Sequence, residues 1–328
     1  MPSMGKRLSV DDRLSSIRRL RAKQPSSSVL AELRSALRDK SNLIVAAAAA
    51  IVGDQKHADL LADLEAAFER FLIDPLKNDK LCRAKIAIVQ SLEKLGHEPA
   101  DLFLRAAGHV QLEPVWGGTE DTAAPLRSLA ILALARLDYH ALLPLLVDSL
   151  ADSHKDVRIA AAQALGYHGS VAACLLLRLK ALMGDKESEV VWECLSCLLT
   201  IESSENISFV SRFLDSGDIA KCEAAIIALG RSRVPAAFDL LNACWQRHPI
   251  GLDDEILLAM AMLRLPASTE FLLEIVATGQ DRAAHAALSA LLIHRYDPSL
   301  RQRIAVAVKK NGSGSLLASF LRESETED

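Results

Sequence analysis

Two octets decide the fold: Lys85-Ile-Ala-Ile-Val-Gln-Ser-Leu92 and Arg158-Ile-Ala-Ala-Ala-Gln-Ala-Leu165. Both read basic, Ile, Ala, two small or β-branched residues, Gln, small, Leu. Further copies end at Leu134 (RSLAILAL), Leu198 (VWECLSCL), Leu229 (CEAAIIAL), Leu263 (ILLAMAML) and Leu291 (AHAALSAL), and a first copy ends at Ile51 (IVAAAAAI). The intervals between successive ends are 41, 42, 31, 33, 31, 34 and 28 residues. Self-similarity at periods of roughly 20–50 residues is the mark of a stacked repeat array. Each copy is too short and too alanine-rich to bury its own apolar face, whereas stacked neighbours share one core.

A second helical run lies between the copies, as in Asp138–Leu150, Phe209–Leu214 and Phe271–Val276, so each repeat is a helix pair. Pro99, Pro235, Pro266 and Pro298 stand where the next helix begins, a position that tolerates proline. Gly53, Gly96, Gly166 and Gly230 follow the repeat helices and are expected to close them in the left-handed conformation. Hairpin dipeptides between β-branched runs are absent, so strands are not expected.

Asp152-Ser-His-Lys-Asp-Val157-Arg158-Ile-Ala-Ala161-Ala-Gln-Ala164-Leu165-Gly166 resembles the HEAT-like repeat. An acidic lead-in, Val-Arg, and a closing Ala-Leu-Gly carry the likeness. The 31–34-residue spacing is similar to the short repeats of phycobilisome-lyase-type proteins. The resemblance spans roughly residues 28–310 and implies an all-α, right-handed α-solenoid of about eight HEAT-like helix pairs. It implies little about activity, because this fold hosts scaffolds, lyases, chaperones and a DNA glycosylase class.

The ends differ from the middle. Residues 1–40 carry a net charge of +6 and the remainder −10, for −4 over 328 residues. Val10, Leu14, Ile17 and Leu20 form one apolar stripe behind Ser9, an N-cap with Asp12 three residues on. Arg13, Arg18, Arg19, Arg21 and Lys23 form a basic face, either the wet side of a capping helix or a dock for an acidic partner, RNA or anionic lipid. The expected organisation is basic capping helices over 1–40, a repeat solenoid over 41–310, and a C-terminal helix with an acidic tail over 311–328. That helix should end near Leu321, and Glu323–Asp328 should be disordered.

The long interval before Leu134 is explained by an insertion, Gly108-His-Val-Gln-Leu-Glu-Pro-Val-Trp-Gly-Gly-Thr-Glu-Asp-Thr122, which reads as a loop. It resembles "EPVWGG…DTAA" loops of bacterial HEAT-repeat proteins. Trp116 either folds back as a lid on the core, with Asp121 or Thr122 capping the next helix, or projects as an anchor for a partner. Lys85, Arg127 and Arg158 occupy equivalent positions in consecutive repeats. Such residues in HEAT-like repeats stack with Asp as a ladder, for which Asp121 and Asp156 are available; a stripe for an anionic ligand is the alternative. The stripe ends after Arg158, where Val191, Cys222, Ile256 and Ala284 follow, so a long phosphate-tracking groove is not expected.

Cys194-Leu-Ser-Cys197 lies mid-helix and lacks the second pair that a zinc site needs, so buried thiols are expected. One His97-Glu98 pair does not match the several of deoxyhypusine-hydroxylase-type HEAT enzymes. Phosphate-loop, dinucleotide and nucleophile-elbow motifs are absent. The longest apolar run, Leu43–Val52, is too short to span a bilayer. These features point to a cytoplasmic, non-enzymatic scaffold with no cofactor and no metal, binding a protein or peptide on its concave face. The expected contact residues are His109, Glu113, Trp116, Asp121, Arg127 and Arg158. A tetrapyrrole-protein lyase or chaperone, or a nucleic-acid-binding HEAT protein, is the alternative; an acidic pI near 6.2 and few aromatics weigh against nucleic acid.

Overall fold

The computed structural model describes residues 9–247 and 251–325. The chain runs α1 (Val10–Leu20), α2 (Ser27–Leu37), α3 (Asn42–Asp54), α4 (Leu61–Leu72), α5 (Pro75–Asn78), α6 (Arg83–Lys94), α7 (Ala100–Ala107), β1 (Leu112–Val115), β2 (Gly118–Asp121), α8 (Ala124–Arg136), α9 (Leu142–Leu150), α10 (Lys155–His168) and α11 (Val171–Met183). It continues with α12 (Ser188–Ile201), α13 (Ser203–Ser211), α14 (Ile219–Ser232), α15 (Pro235–Gln246), α16 (Asp253–Leu263), α17 (Pro266–Thr278), α18 (Asp281–Leu292), α19 (Pro298–Asn311) and α20 (Gly314–Glu325). Each of the eight sequence copies ends inside one helix: α3, α6, α8, α10, α12, α14, α16 and α18. The helix between successive copies packs on the copy that comes after it: α7 on α8, α11 on α12, α15 on α16 and α17 on α18.

The chain divides into two compact units, residues 1–164 and 165–328. In the first, α1 packs on α3, α3 on α6 and α6 on α8, while α7 lies against α8. In the second, α12, α14, α16 and α18 pack in succession, and α20 closes the row against α18 and α19. Each unit is therefore a stretch of all-α solenoid. A row helix has neighbours on two sides, and its burial shows it: α14 buries Cys222, Ala224, Ala225, Ile226, Ala228 and Leu229. That explains why these helices read as nearly unbroken apolar runs rather than as one-sided stripes.

The expected Ser9 cap is formed, while of the apolar stripe only Leu20 is buried and Val10 is exposed. Ser9 accepts from Asp12 N at 3.1 Å, and the Asp12 carboxylate accepts from Ser9 N, closing a capping box. Pro235, Pro266 and Pro298 open α15, α17 and α19, and Pro99 precedes α7. The terminal helix runs beyond Leu321 to Glu325, so the first residues of the acidic tail are helical. Residues 326–328 lie outside the described residues, as do residues 1–8.

Three of the four glycines play another part than the one expected. Gly96 has φ +69° and does end its helix left-handed. Gly53, Gly166 and Gly230 sit inside α3, α10 and α14, where row helices cross. A Cβ on Gly53 would lie 2.9 Å from Ser91 Cα, one on Gly166 2.8 Å from Cys197 Sγ, and one on Gly230 2.7 Å from Ala259 Cα. At Gly53 and Gly230 the helices meet backbone to backbone, and at Gly166 the Cys197 side chain fills the space; Ser91 Oγ reaches Ala49 O across one crossing at 2.6 Å. Gly→Ala inside an open helix gains about 1 kcal/mol from propensity. At Gly230 the sign should reverse, with a loss of about 1–3 kcal/mol from overpacking. Urea unfolding of Gly230→Ala checks this, and a more stable variant would contradict the close crossing.

Candidate functional site

The insertion is a hairpin, not a loop. β1 and β2 pair antiparallel, with Leu112 opposite Asp121, Glu113 opposite Glu120, Pro114 opposite Thr119 and Val115 opposite Gly118. Trp116 and Gly117 make the turn, and Gly117 takes φ +89°. Neither Leu-Glu-Pro-Val nor Gly-Thr-Glu-Asp is a strong strand former, and an isolated two-stranded hairpin is marginal in water. Side chains beneath it supply the order.

The first support is a buried polar cluster between α4, α6 and β1. Lys85 and Asp79 are both wholly buried. Lys85 Nζ lies 3.1 Å from Asp79 Oδ2 and donates to Gln111 Oε1 at 3.0 Å and Phe71 O at 3.3 Å, so each ammonium hydrogen has an acceptor. Asp79 also accepts from Ala84 N and Lys85 N, the free donors of the first turn of α6, at 2.9 and 3.1 Å. Gln111 Nε2 donates to Asp79 O and Glu113 Oε1, both at 2.8 Å.

Glu113 points inward and ties two insertions together. Its Oε1 accepts from Leu81 N at 2.5 Å and from Thr122 Oγ1 at 2.8 Å. Leu81 and Cys82 have φ +61° and +51°, a left-handed step that non-glycine residues rarely take. This step belongs to the extra segment from α5 to α6 that accounts for the other long interval, 41 residues before Leu92. Burial alone would raise the Glu113 pKa, but hydrogen bonds from Thr122, Leu81 N and Gln111 outweigh it and hold the carboxyl below its ordinary value. The Cys82 thiol, buried beside them, is pushed up to about 11.

The second support is centred on Arg127, buried at 5% exposure. Its Nε and Nη2 meet the two oxygens of Asp152 at 3.0 and 3.1 Å, a bidentate pair. Its Nη1 donates to Asp121 Oδ2 at 2.7 Å and to His109 O at 3.0 Å. Asp121 Oδ1 accepts from Gln111 N and from Ala123 N, just ahead of α8, both at 3.0 Å. Burial would raise the Asp121 pKa; those backbone donors and Arg127 reverse the effect and lower it. Burial would likewise lower the Arg127 pKa, and its two carboxylates raise it instead. Arg158, also buried, donates to Asp152 O at 2.8 Å and Ser153 O at 3.0 Å.

The six residues singled out in the sequence therefore separate. Glu113, Arg127 and Arg158 are buried and bonded within the chain, as is the Asp121 carboxylate. His109 is half-buried, with its pKa lowered by burial. Trp116 is 103% exposed at the tip of the turn, so it does not fold back as a lid. Val110, Leu112 and Val115 are exposed as well. The ladder uses Asp152 where Asp156 was expected; Asp156 is exposed. Asp79 and Gln111, the centre of the network, escaped the sequence reading. The unexplained 41-residue interval was their signal.

Cys194 and Cys197 are buried in α12, and burial pushes the Cys194 thiol up to about 12 and that of Cys197 up as well. Both are poor nucleophiles in that state. Among the described residues no group of three His, Cys, Asp or Glu side chains is placed to hold a metal ion, and no helix is long and apolar enough to cross a membrane.

The family model for HEAT repeats matches residues 118–191, from β2 to the first turn of α12. Arg127, Asp152 and Arg158 all fall within the matched HEAT segment. No curated protein matches the chain. Among solved structures, human deoxyhypusine hydroxylase in complex with glycerol is similar at 17% identity with a TM-score of 0.30, over 78% of this chain and 91% of that one. The complex of CpcE and CpcF of phycocyanin lyase from Nostoc sp. PCC7120 is similar at 18% identity with a TM-score of 0.33, over 94% of this chain and 100% of that one.

Proposed function

We propose that this HEAT-repeat chain is a non-enzymatic interaction scaffold that seats a protein or peptide along its row helices, with the hairpin tip as an anchor. The observation that carries this reading is Trp116, fully exposed on a hairpin that two buried polar clusters hold in place. Leaving an indole and its apolar neighbours in water has a free-energy cost that a monomer gains nothing from. Trp on a pre-ordered support is the usual form of an interface hot spot, because little conformational entropy remains to be lost on binding. Glu113, Asp121, Arg127 and Arg158 act in this reading as positioning residues that hold the tip, while His109 and Trp116 lie nearer the partner. The guanidinium groups of Arg127 and Arg158 are engaged within the chain, which gives an anionic pigment or a phosphate backbone little to meet there.

The test is capture from native lysate with the wild type and Trp116→Ala, followed by photocrosslinking from position 116. Removing an exposed side chain should leave the melting temperature unchanged, while captured partner falls about tenfold or more, the loss expected of a hot-spot residue. Equal capture by both proteins would remove the hairpin from the interface.

A further inference from the structure

A second surface lies in the first unit, and its chemistry is more specific. Helix α3 contains the run Leu43-Ile-Val-Ala-Ala-Ala-Ala-Ala-Ile-Val52, with no polar residue in ten. One face is core: Ile44, Val45, Ala48, Ala49 and Val52 are buried. A surface helix normally turns polar residues outward on its other face. Here Leu43, Ala46, Ala47 and Ala50 remain half-buried and, with Ile86 of α6, form the floor of a groove of about 640 Å³ between α1, α3 and α6.

The rim of the groove is basic. Arg18 and Arg21 of α1 line one side and Arg83 of α6 the other, and no carboxylate lines it. Arg21 pairs with Asp54. Arg18 and Arg83 are exposed, and neither guanidinium makes an ion pair or hydrogen bond among the described residues. Residues beyond 40 carry a net charge of −10, so a groove lined by three arginines, of which only Arg21 is paired with a carboxylate, runs against the body of the protein.

We infer that this groove docks an acidic amphipathic helix of a protein partner. The inference rests on the interaction-scaffold reading and supplies the chemistry of one partner segment. Apolar side chains of the docking helix would lie on the Ala and Ile floor, and its carboxylates would meet Arg18 and Arg83. The small floor residues let a helix backbone approach closely, the helix-in-groove mode of recognition. Nucleic acid fits poorly: no aromatic side chain lines the groove for base stacking, and an apolar floor offers a phosphate backbone nothing. A bilayer fits poorly because the apolar surface is recessed below its arginines instead of standing proud of them.

The probe is a fluorescein-labelled synthetic helix of about five turns, with Leu at i, i+3, i+4 and i+7 and Glu on its flanks, titrated with the full chain by anisotropy. The expected result is saturable binding that weakens about tenfold or more in Arg18→Glu/Arg83→Glu and with rising salt. Both arginines are exposed, so the variant should melt like the wild type. Ala47→Glu, which puts a carboxylate on the floor, should block the same peptide. A peptide with Lys in place of Glu should not bind. Flat titrations, equal binding of the Lys peptide, or indifference to both variants would overturn the inference. So would sedimentation with phosphatidylserine vesicles that depends on Arg18 and Arg83 while the peptide fails, since the occupant would then be lipid. If the peptide fails but Trp116-dependent capture persists, only the groove inference falls.

Discussion

Asp79→Ala should lower stability by about 3–5 kcal/mol, the loss typical of breaking a buried ion pair from one side. Lys85 would keep Phe71 O and Gln111 as acceptors and lose its counter-charge in a site without water access. Two amide donors at the start of α6, Ala84 and Lys85, would lose their acceptor as well. An ordinary substitution costs nearer 1 kcal/mol, so the difference is measurable by urea unfolding. The pair itself is not expected to be strongly stabilising, because desolvating two charges offsets most of their attraction. Asp79→Leu combined with Lys85→Met should therefore be less damaged than Asp79→Leu alone, and the remaining deficit reports the orphaned amides. A single variant as stable as the wild type would show that the cluster does not carry the hairpin.

Arg127→Met is the second large effect, again about 3–5 kcal/mol, and its pH dependence separates it from simple loss of packing. In the wild type the Asp121 and Glu113 carboxyls titrate below their ordinary values. A carboxyl with a lowered folded-state pKa contributes stability that is fully present above its unfolded value and lost as pH falls through the folded value. The wild type should thus hold this contribution down to the ordinary carboxylate range near pH 4 and lose it below. Without Arg127, Asp121 and Asp152 lose the guanidinium that bridges them and are left as neighbouring, mostly buried carboxylates, with the His154 imidazole 3.6 Å from Asp121. The folded-state pKa of Asp121, which Arg127 helps to lower, should rise, so the variant gains relative stability as pH falls. The gap between the two proteins should narrow from pH 7 toward pH 4. A constant gap would mean that Arg127 acts through its volume.

The repeat was legible because it is written in local periodicity. Every copy end, from Ile51 to Leu291, lies inside a row helix, and the prolines and the Ser9 capping box stand where local rules put them. The basic residues at equivalent positions, Lys85, Arg127 and Arg158, are all buried, as a ladder requires. What could not be read is what depends on distant partners. The hairpin is built from weak strand formers and is held by Asp79 and Lys85, which precede it by more than twenty residues. Asp152 and Asp156 both flank Arg158 in sequence, and only the packed geometry shows that Asp152 is the one facing Arg127. The glycines at 53, 166 and 230 look like helix ends because alanine-rich helices carry no local mark of where another backbone will cross them.

The bond from Leu81 N to Glu113 has a consequence for how such a chain changes over time. Repeat arrays lengthen and shorten when whole units are duplicated, deleted or exchanged, since each unit meets only its neighbours. Here the carboxylate on one unit's hairpin fixes the left-handed step in the segment leading out of the unit before it. Exchanging either unit alone would leave Glu113 buried without its amide donor, or Leu81 and Cys82 without the group that holds their backbone. The smallest exchangeable piece in this region is a two-repeat block.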